Sequence, residues 1–393
     1  MTTYYDGSVS ASVSPSGVRQ QNLARILELI HREGPLPRAA LTERTGLNRS
    51  TIADLVAELE QHGLASQAGP DPSRRVGRPS PVVHAAADVV AIAANPEVDA
   101  LTMAAVGLDR RVRVRARIPF DVPPAPEQVA VSLAAQVASW LGEGLAAARI
   151  VGVGLAVPGL VRGEDGLVRD APHLGWRDAP LREIVRARVG LPVVVGNDAS
   201  LGARAEHLFG AARDADDVVY LNGGASGIGG GLIVAGRAVG GASGYAGEFG
   251  QNRPGIGRAD DRRVPDGVLE DEVDRDRLLA AAGLSATDDA TLAEALRRVG
   301  TATAEIDRQR RILATALANA VNVLNPSVIV LGGFLAMLAE RDLPGFVADV
   351  RAQAMPACGE LLEVRPAQLA DDRLLIGAAE LAFEALLAAP TAS

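Results

Sequence analysis

The sequence predicts an α/β protein of two lobes, preceded by a small winged helix-turn-helix. Three observations lead there. Three short helical patterns and a basic, Pro/Gly-rich tail fill the first eighty residues, after which apolar strand-like runs alternate with helical stretches. Glycine clusters recur at the ends of those runs, where open α/β sheets bind ligands. At 393 residues the chain is too long for one ordinary core.

Composition narrows the classes further. Hydrophobic residues make up 48% of the chain and charged residues 22%, a globular balance. The net charge of −9 confines any nucleic-acid contact to one local segment. A lone cysteine, Cys358, excludes a disulfide framework or a Cys-based zinc site within one chain. The opening "MTTYYDGSVSASVSPSG" has no basic region followed by an apolar stretch, so residues 1–16 read as a disordered leader rather than a signal peptide. The longest uncharged run, Ile312 to Ala339, is broken by Asn319, Asn322, Asn325-Pro326 and Gly332-Gly333. That pattern fits a buried helix and a buried strand better than a membrane span, and a cytoplasmic location is expected.

Residues 17–83 read as the DNA-binding unit. Leu23, Ile26, Leu27 and Ile30 form one apolar helical face, and "REGPLP" ends that helix. A second helix runs from Arg38 to Thr45 and is closed by Gly46. The third starts at Asn48, a good N-cap, with Ile52, Leu55, Val56 and Leu59 on its apolar face. Its first turn offers Arg49, Ser50 and Thr51 to base edges and phosphates, with Arg38 as a further contact. The stretch "LASQAGPDPSRRVGRPSPVVH" looks like a wing carrying Arg74, Arg75 and Arg78, and the arginine of "GRP" suits a minor groove. The segment holds nine Arg against seven Asp/Glu, mildly basic in an acidic chain. The alternative is a helical hairpin with a solvated basic loop.

The first lobe is expected over 84–195, with a C-terminal helix at 374–389 packing back on it, and the second over 196–373. Strand-like runs are "DVVAIAANP", "ALTMAAVGL", "RVRVRARIPF", "RIVGVGLAVPG", "LPVVVGNDA", "DVVYLNGG", "GIGGGLIVAG" and "SVIVLGG". Helices are expected at Pro126–Ala148 and Ala302–Leu324, and several of the strands should run parallel. Four loops offer site residues. One is "VPG", ending in Gly159. In "GNDAS", Asn197 and Asp198 can bind a polyol, or cap a helix. "GYAGEFGQ" holds Glu248 and Gln251, and "GVLEDEV" holds Glu270 in what is otherwise a solvated acidic run.

Taken in order, "GRPSP", "GLAVPG", "APHLGWRDAPL", "LPVVVGNDA", "AEHLFGAAR", "GIGGGLIVAGR", "GYAGEFGQ" and "NPSVIVLGG" resemble the ROK family of repressors, open reading frames and kinases. The likeness covers nearly the whole chain from Gly17. It implies an actin/hexokinase-like two-lobed fold, sugar binding in the cleft and, in members with a winged helix, transcriptional control by homo-oligomers. Sugar ligands carried over by position are Asn197, Asp198, Glu248, Gln251 and Glu270, and in the kinases the counterpart of Asp198 is the general base.

Two departures stand out. The family's Asp-x-Gly-Gly-Thr phosphate loop falls on Asn95-Pro96-Glu97-Val98-Asp99, which lacks both glycines and adds two acids. Glycines there let backbone N–H groups approach phosphate, and acids repel it, so ATP is not expected as a cofactor. The family's zinc ligands, one His and three Cys, fall on Gln251, Asp261, Arg263 and Val268, so no zinc is expected either, and the segment between reads as a mobile loop. The sequence therefore predicts a sugar-responsive transcriptional regulator, a repressor that is a homodimer or tetramer on operator DNA. The alternatives are a ROK kinase acting on a hexose or amino sugar, and a DNA-binding protein with a relic cleft.

Overall fold

The computed structural model describes residues 15–69, 80–224, 226–285, 288–298 and 304–391. Helix α1 (Pro15–Glu33) takes in the last two residues of the expected leader, and the rest of it lies outside the described residues. Its face of Leu23, Ile26, Leu27 and Ile30 is buried. Gly34, at φ +88°, turns the chain into β1 (Leu36–Pro37), a strand hidden in the sequence by its own helix-breaking residues. Helix α2 (Arg38–Thr45) stops at Gly46 in the left-handed conformation, φ 73°. Helix α3 (Arg49–Gln61) starts under the Asn48 side chain, which accepts from the Thr51 N–H. Strands β2 (Ala65–Ala68) and β3 (Val82–Ala85) pair antiparallel, with β1 on the other side of β3.

The first lobe holds β4 (Val89–Pro96), β5 (Ala100–Gly107), β6 (Val112–Pro119), α4 (Pro126–Gly142) and β7 (Arg149–Val157). A small sheet of β8 (Leu160–Val161), β9 (Val168–Ala171) and β10 (Trp176–Ala179) follows, then α5 (Leu181–Val189) and β11 (Val193–Asn197). The main sheet runs β11-β7-β4-β5-β6; only β11, β7 and β4 are parallel. Residues 97–99 between β4 and β5 are too few for a crossover helix, so a hairpin forms. Helix α4 ends six residues before the expected Ala148, at the Gly142-Glu143-Gly144 turn.

Helix α6 (Asp198–Phe209) leads to β12 (Val218–Gly224), β13 (Gly227–Val234) and β14 (Arg237–Ala238). Next come α7 (Leu269–Glu272), α8 (Arg275–Ala281), α9 (Asp289–Arg298), α10 (Ala304–Leu324) and β15 (Val328–Gly333). The chain closes with α11 (Phe334–Glu340), α12 (Leu343–Gln353), α13 (Pro356–Gly359), β16 (Glu363–Pro366) and α14 (Arg373–Ala388). The second sheet runs β14-β13-β12-β15-β16, with β12, β15 and β16 parallel. The uncharged run takes in the C-terminal part of α10, β15 and all of α11 but its last residue, and no described helix is long and apolar enough to cross a membrane.

Helix α14 packs on β4, β7, α6 and α1. A Cβ at Gly154 of β7 would stand 1.9 Å from the Ala378 carbonyl, so only glycine lets α14 lie this close. Leu23, Ile26, Leu27 and Ile30 of α1 share one apolar core with Leu375, Ala378, Ala379 and Phe383 of α14. At that junction His31, fully buried, places Nδ1 2.6 Å from the Leu108 carbonyl and Nε2 3.0 Å from the Glu380 carboxylate. Phe209 and Phe383 meet its ring edge-on.

Candidate functional site

β11 ends and α6 begins at Asn197-Asp198, and both readings of that pair hold. Asn197 Oδ1 accepts from the Ser200 N–H at 2.8 Å, a helix cap. Its Nδ2 donates to the Gly159 carbonyl at 2.9 Å, tying the turn after β7 to α6. Gly159 sits at φ +91°, and a Cβ there would stand 2.2 Å from the Asp170 carbonyl, so the glycine serves backbone packing. Asn197 thus spends one donor and one acceptor on structure and keeps one of each.

Asp198 accepts from the Ala199 N–H at 2.7 Å. Burial pushes its carboxyl up from the ordinary range, opposed by that N–H and by Arg373, the first residue of α14. Glu248 belongs to the loop that leads into a short 3-10 turn, Phe249–Gln251. Desolvation raises its carboxyl too, and the charges of Asp198 and Glu270 raise it further. Glu270 is not on a solvated face: in the short α7 its Oε2 accepts from the Ile228 N–H at 3.1 Å and its Oε1 from Gln251 Nε2 at 2.5 Å. Gly227 and Gly250 make room for it, since a Cβ at either would stand within 2.7 Å of Glu270 Oε2. Of the six residues named from the sequence, hydrogen bonds join Gly159 to Asn197 and Gln251 to Glu270, Asp198 follows Asn197 in the chain, and Glu248 feels the charges of Asp198 and Glu270. Three carboxylates on glycine-lined backbone can accept from the hydroxyls of a polyol. An apolar hollow of about 320 Å³, lined by Leu221, Phe249, Leu269, Ala316, Ala320 and Leu324 among others, lies behind this loop and contains none of the six.

The crowding of these acids has a measurable consequence. A carboxyl that holds its proton more tightly folded than unfolded stabilises the fold at low pH and loses that contribution as pH rises through its raised value. Glu248→Gln is expected to melt higher than the parent at about pH 8, with the gap closing towards about pH 4. Thermal unfolding over a pH series checks this; a gap that widened on acidification would contradict it.

In the winged-helix unit, the cap Asn48 and the first-turn residues Arg49 and Ser50 of α3 are exposed, beside the half-buried Thr51. Asn48 is engaged as the cap and also accepts from Ser50 Oγ at 2.7 Å, which leaves Arg49 as the long side chain of that turn. Arg38 begins α2, partly buried, its N–H donating to the Pro81 carbonyl. Arg74, Arg75 and Arg78 lie outside the described residues.

The Asn95–Asp99 turn differs in detail from its sequence reading. Asn95 is buried and donates from Nδ2 to the Ala156 carbonyl at 2.9 Å. The acids of the turn face a cation: Arg117 lies 2.7 Å from Asp99 and 3.9 Å from Glu97. Sequence reasoning missed Arg117 and Arg373, because neither carries a local signal and each reaches its acid through the fold.

The ROK family profile matches residues 98–385, and the IclR helix-turn-helix domain profile matches residues 21–69. The xylose repressor of Bacillus spizizenii is 25% identical over 94% of this chain and 97% of its own length. A glucokinase of Halalkalibacterium halodurans is 29% identical over 58% of this chain and 74% of its own length. Among solved structures, a ROK family transcriptional regulator described as a homolog of the E. coli MLC protein superposes with a TM-score of 0.76, at 23% identity, over 95% of this chain and 97% of that one.

Proposed function

The chain belongs to the ROK family, and from that membership together with its helix-turn-helix we infer that it is a sugar-responsive transcriptional repressor. One observation carries the inference: a capped helix with an exposed, Arg-bearing first turn shares a chain with the Asp198–Glu248–Glu270 cluster. A monosaccharide or derivative binds through Asn197, Asp198, Glu248, Gln251 and Glu270, its hydroxyls donating to the carboxylates. The first turn of α3 and the arginines at 74, 75 and 78 contact operator DNA. A homodimer presents two reading helices about one helical turn apart to a near-palindromic operator. The sugar must bind one lobe arrangement better than the other; a coupling of about 1.4–2.7 kcal/mol gives a 10- to 100-fold change in operator affinity.

Phosphoryl transfer is not part of this reading. The hairpin that would cradle phosphate offers the buried amide of Asn95 and two acids in place of glycines and free N–H groups. Relatives along nearly the full length include repressors, whereas the glucokinase matches a shorter stretch.

The test is a thermal-shift screen of pentoses, hexoses and amino sugars, followed by operator binding with each hit. A sugar that raises the melting temperature and shifts operator affinity supports the reading. A relic cleft predicts no shift with any sugar. Steady ADP release that depends on Asp198 would mean a kinase.

A further inference from the structure

The family resemblance implies a structural zinc beside the sugar loop, and the residues present do not fit one. The four positions hold Gln251, Asp261, Arg263 and Val268, which supply neither thiolate nor imidazole. Cys358 lies away on α13, and no group of three or more His, Cys, Asp or Glu among the described residues could hold a metal.

The segment that carries these positions is tied down by a buried arginine and its acidic partners. Arg308, on the first turns of α10, has a side chain only 1% exposed. Its five N–H groups all have acceptors. Nε and one Nη2 hydrogen meet Glu305 at 2.9 and 2.7 Å, the other Nη2 hydrogen meets the Glu272 carbonyl at 2.6 Å, and Nη1 meets the Asp261 carbonyl at 2.6 Å and Glu272 Oε2 at 2.7 Å. Glu272, fully buried, then accepts the backbone N–H groups of Arg263 and Val264 at 3.0 Å each. The Val268 N–H donates to Asp271 at 2.9 Å. All three positions that hold cysteine in the family are thus fixed through their backbone. Arg311 adds an outer contact to Asp261, and the buried Gln309 holds the backbone of Asp274 through both its N–H and its carbonyl.

The segment read from sequence as a mobile loop is therefore closed. Its two ends meet where the Leu269 N–H donates to the Asn252 carbonyl at 2.8 Å. Those ends carry the Gln251–Glu270 hydrogen bond, and Glu270 is two residues from Glu272 on the same short helix. Burying ions adds little net stability, because desolvation offsets their attraction; their better-attested use is to fix one arrangement. Here the arrangement fixed is that of the sugar loop.

We propose that Arg308 and Glu272 form an ionic clamp that does the work of the family's zinc, positioning Gln251 and Glu270 for the sugar without metal. The proposal rests on the reading of those two residues as sugar ligands. It predicts an effector response indifferent to chelators and dependent on a guanidinium. Lysine keeps the charge at 308 but has three donors for five acceptor contacts.

The experiment uses the full chain, parent and Arg308→Met, Arg308→Lys and Glu305→Gln variants. Hydrogen exchange without sugar reads the clamp: peptides spanning 261–272 should exchange about tenfold faster in Arg308→Met than in the parent. Calorimetry with D-xylose, D-glucose and N-acetylglucosamine, with and without EDTA, reads its consequence. The sugar the parent binds should bind Arg308→Met about tenfold or more weakly and Arg308→Lys in between, EDTA should change nothing, and sugar-free operator affinity should hold. Should Arg308→Met not fold, Glu305→Gln, which keeps the shape and removes one charge, should give the same two changes in smaller measure. Unchanged exchange in a folded Arg308→Met, unchanged sugar affinity, or loss of sugar binding on chelation overturns the clamp. A parent that binds none of the three sugars counts against the sugar reading, while the exchange measurement still decides the clamp.

Discussion

His31→Ala is expected to destabilise the protein by about 3–5 kcal/mol, the cost of stranding a buried charge when its partner is removed. Glu380 is 3% exposed and His31 is its polar partner from the DNA-binding unit. Deleting the ring also empties the space between Phe209 and Phe383 and leaves the Leu108 carbonyl without its donor. Denaturant titration of His31→Ala, Glu380→Gln and the double variant measures the pair. The double variant should lose much less stability than the sum of the two single losses, since removing both partners leaves no buried charge without its partner. Additive losses would mean that the two groups do not act together.

The second large effect belongs to Asp198. Asp198→Ala should weaken sugar binding by about 3 kcal/mol, roughly 100-fold, because hydrogen bonds to an ionised group contribute about 1.5–3 kcal/mol each and a polyol can make two. Sugar-free operator affinity should be unchanged. The sugar-free fold should melt higher than the parent, because Asp198 raises the carboxyl of Glu248 and is itself held in a desolvating place. Calorimetry, operator titration and thermal unfolding of one variant check all three statements. A variant that responds to sugar like the parent would remove Asp198 from the site.

Local physics decided what could be read from the sequence. Asn48 and Gly46 mark helix ends through one side chain and one backbone angle, and both act as read. Asn197 and Asp198 stood out because they follow an apolar run, and Glu248 and Gln251 because they lie in a glycine-rich stretch, whereas Glu270 sat in an acidic run and was singled out only by the family resemblance. Long-range partners were not. His31 and Glu380 are 349 residues apart, and nothing near either marks it as buried. Arg308 is one charge among several on a long helix, and only its i,i+3 spacing from Glu305 hints at a partner. The antiparallel hairpins escaped because apolar runs on both sheet faces carry no strand direction. The end of α4 was missed because Gly142 and Gly144 are only weak stops when an apolar Leu-Ala-Ala-Ala stretch follows them.

The packing of α14 sets an order of events during synthesis. Helix α1, the first of the described helices, shares its core with α14, the last of them, and the strand carrying Gly154 is covered by Ala378. Neither the winged-helix unit nor the first sheet is fully packed until α14 has been made, so the last step for both waits on the same C-terminal element. The contacts that seat the DNA-binding unit are among the longest-range in the molecule and carry the largest loop-closure entropy. A chain cut before α14 would lack the contacts that seat α1, so one element completes both the winged-helix unit and the first sheet.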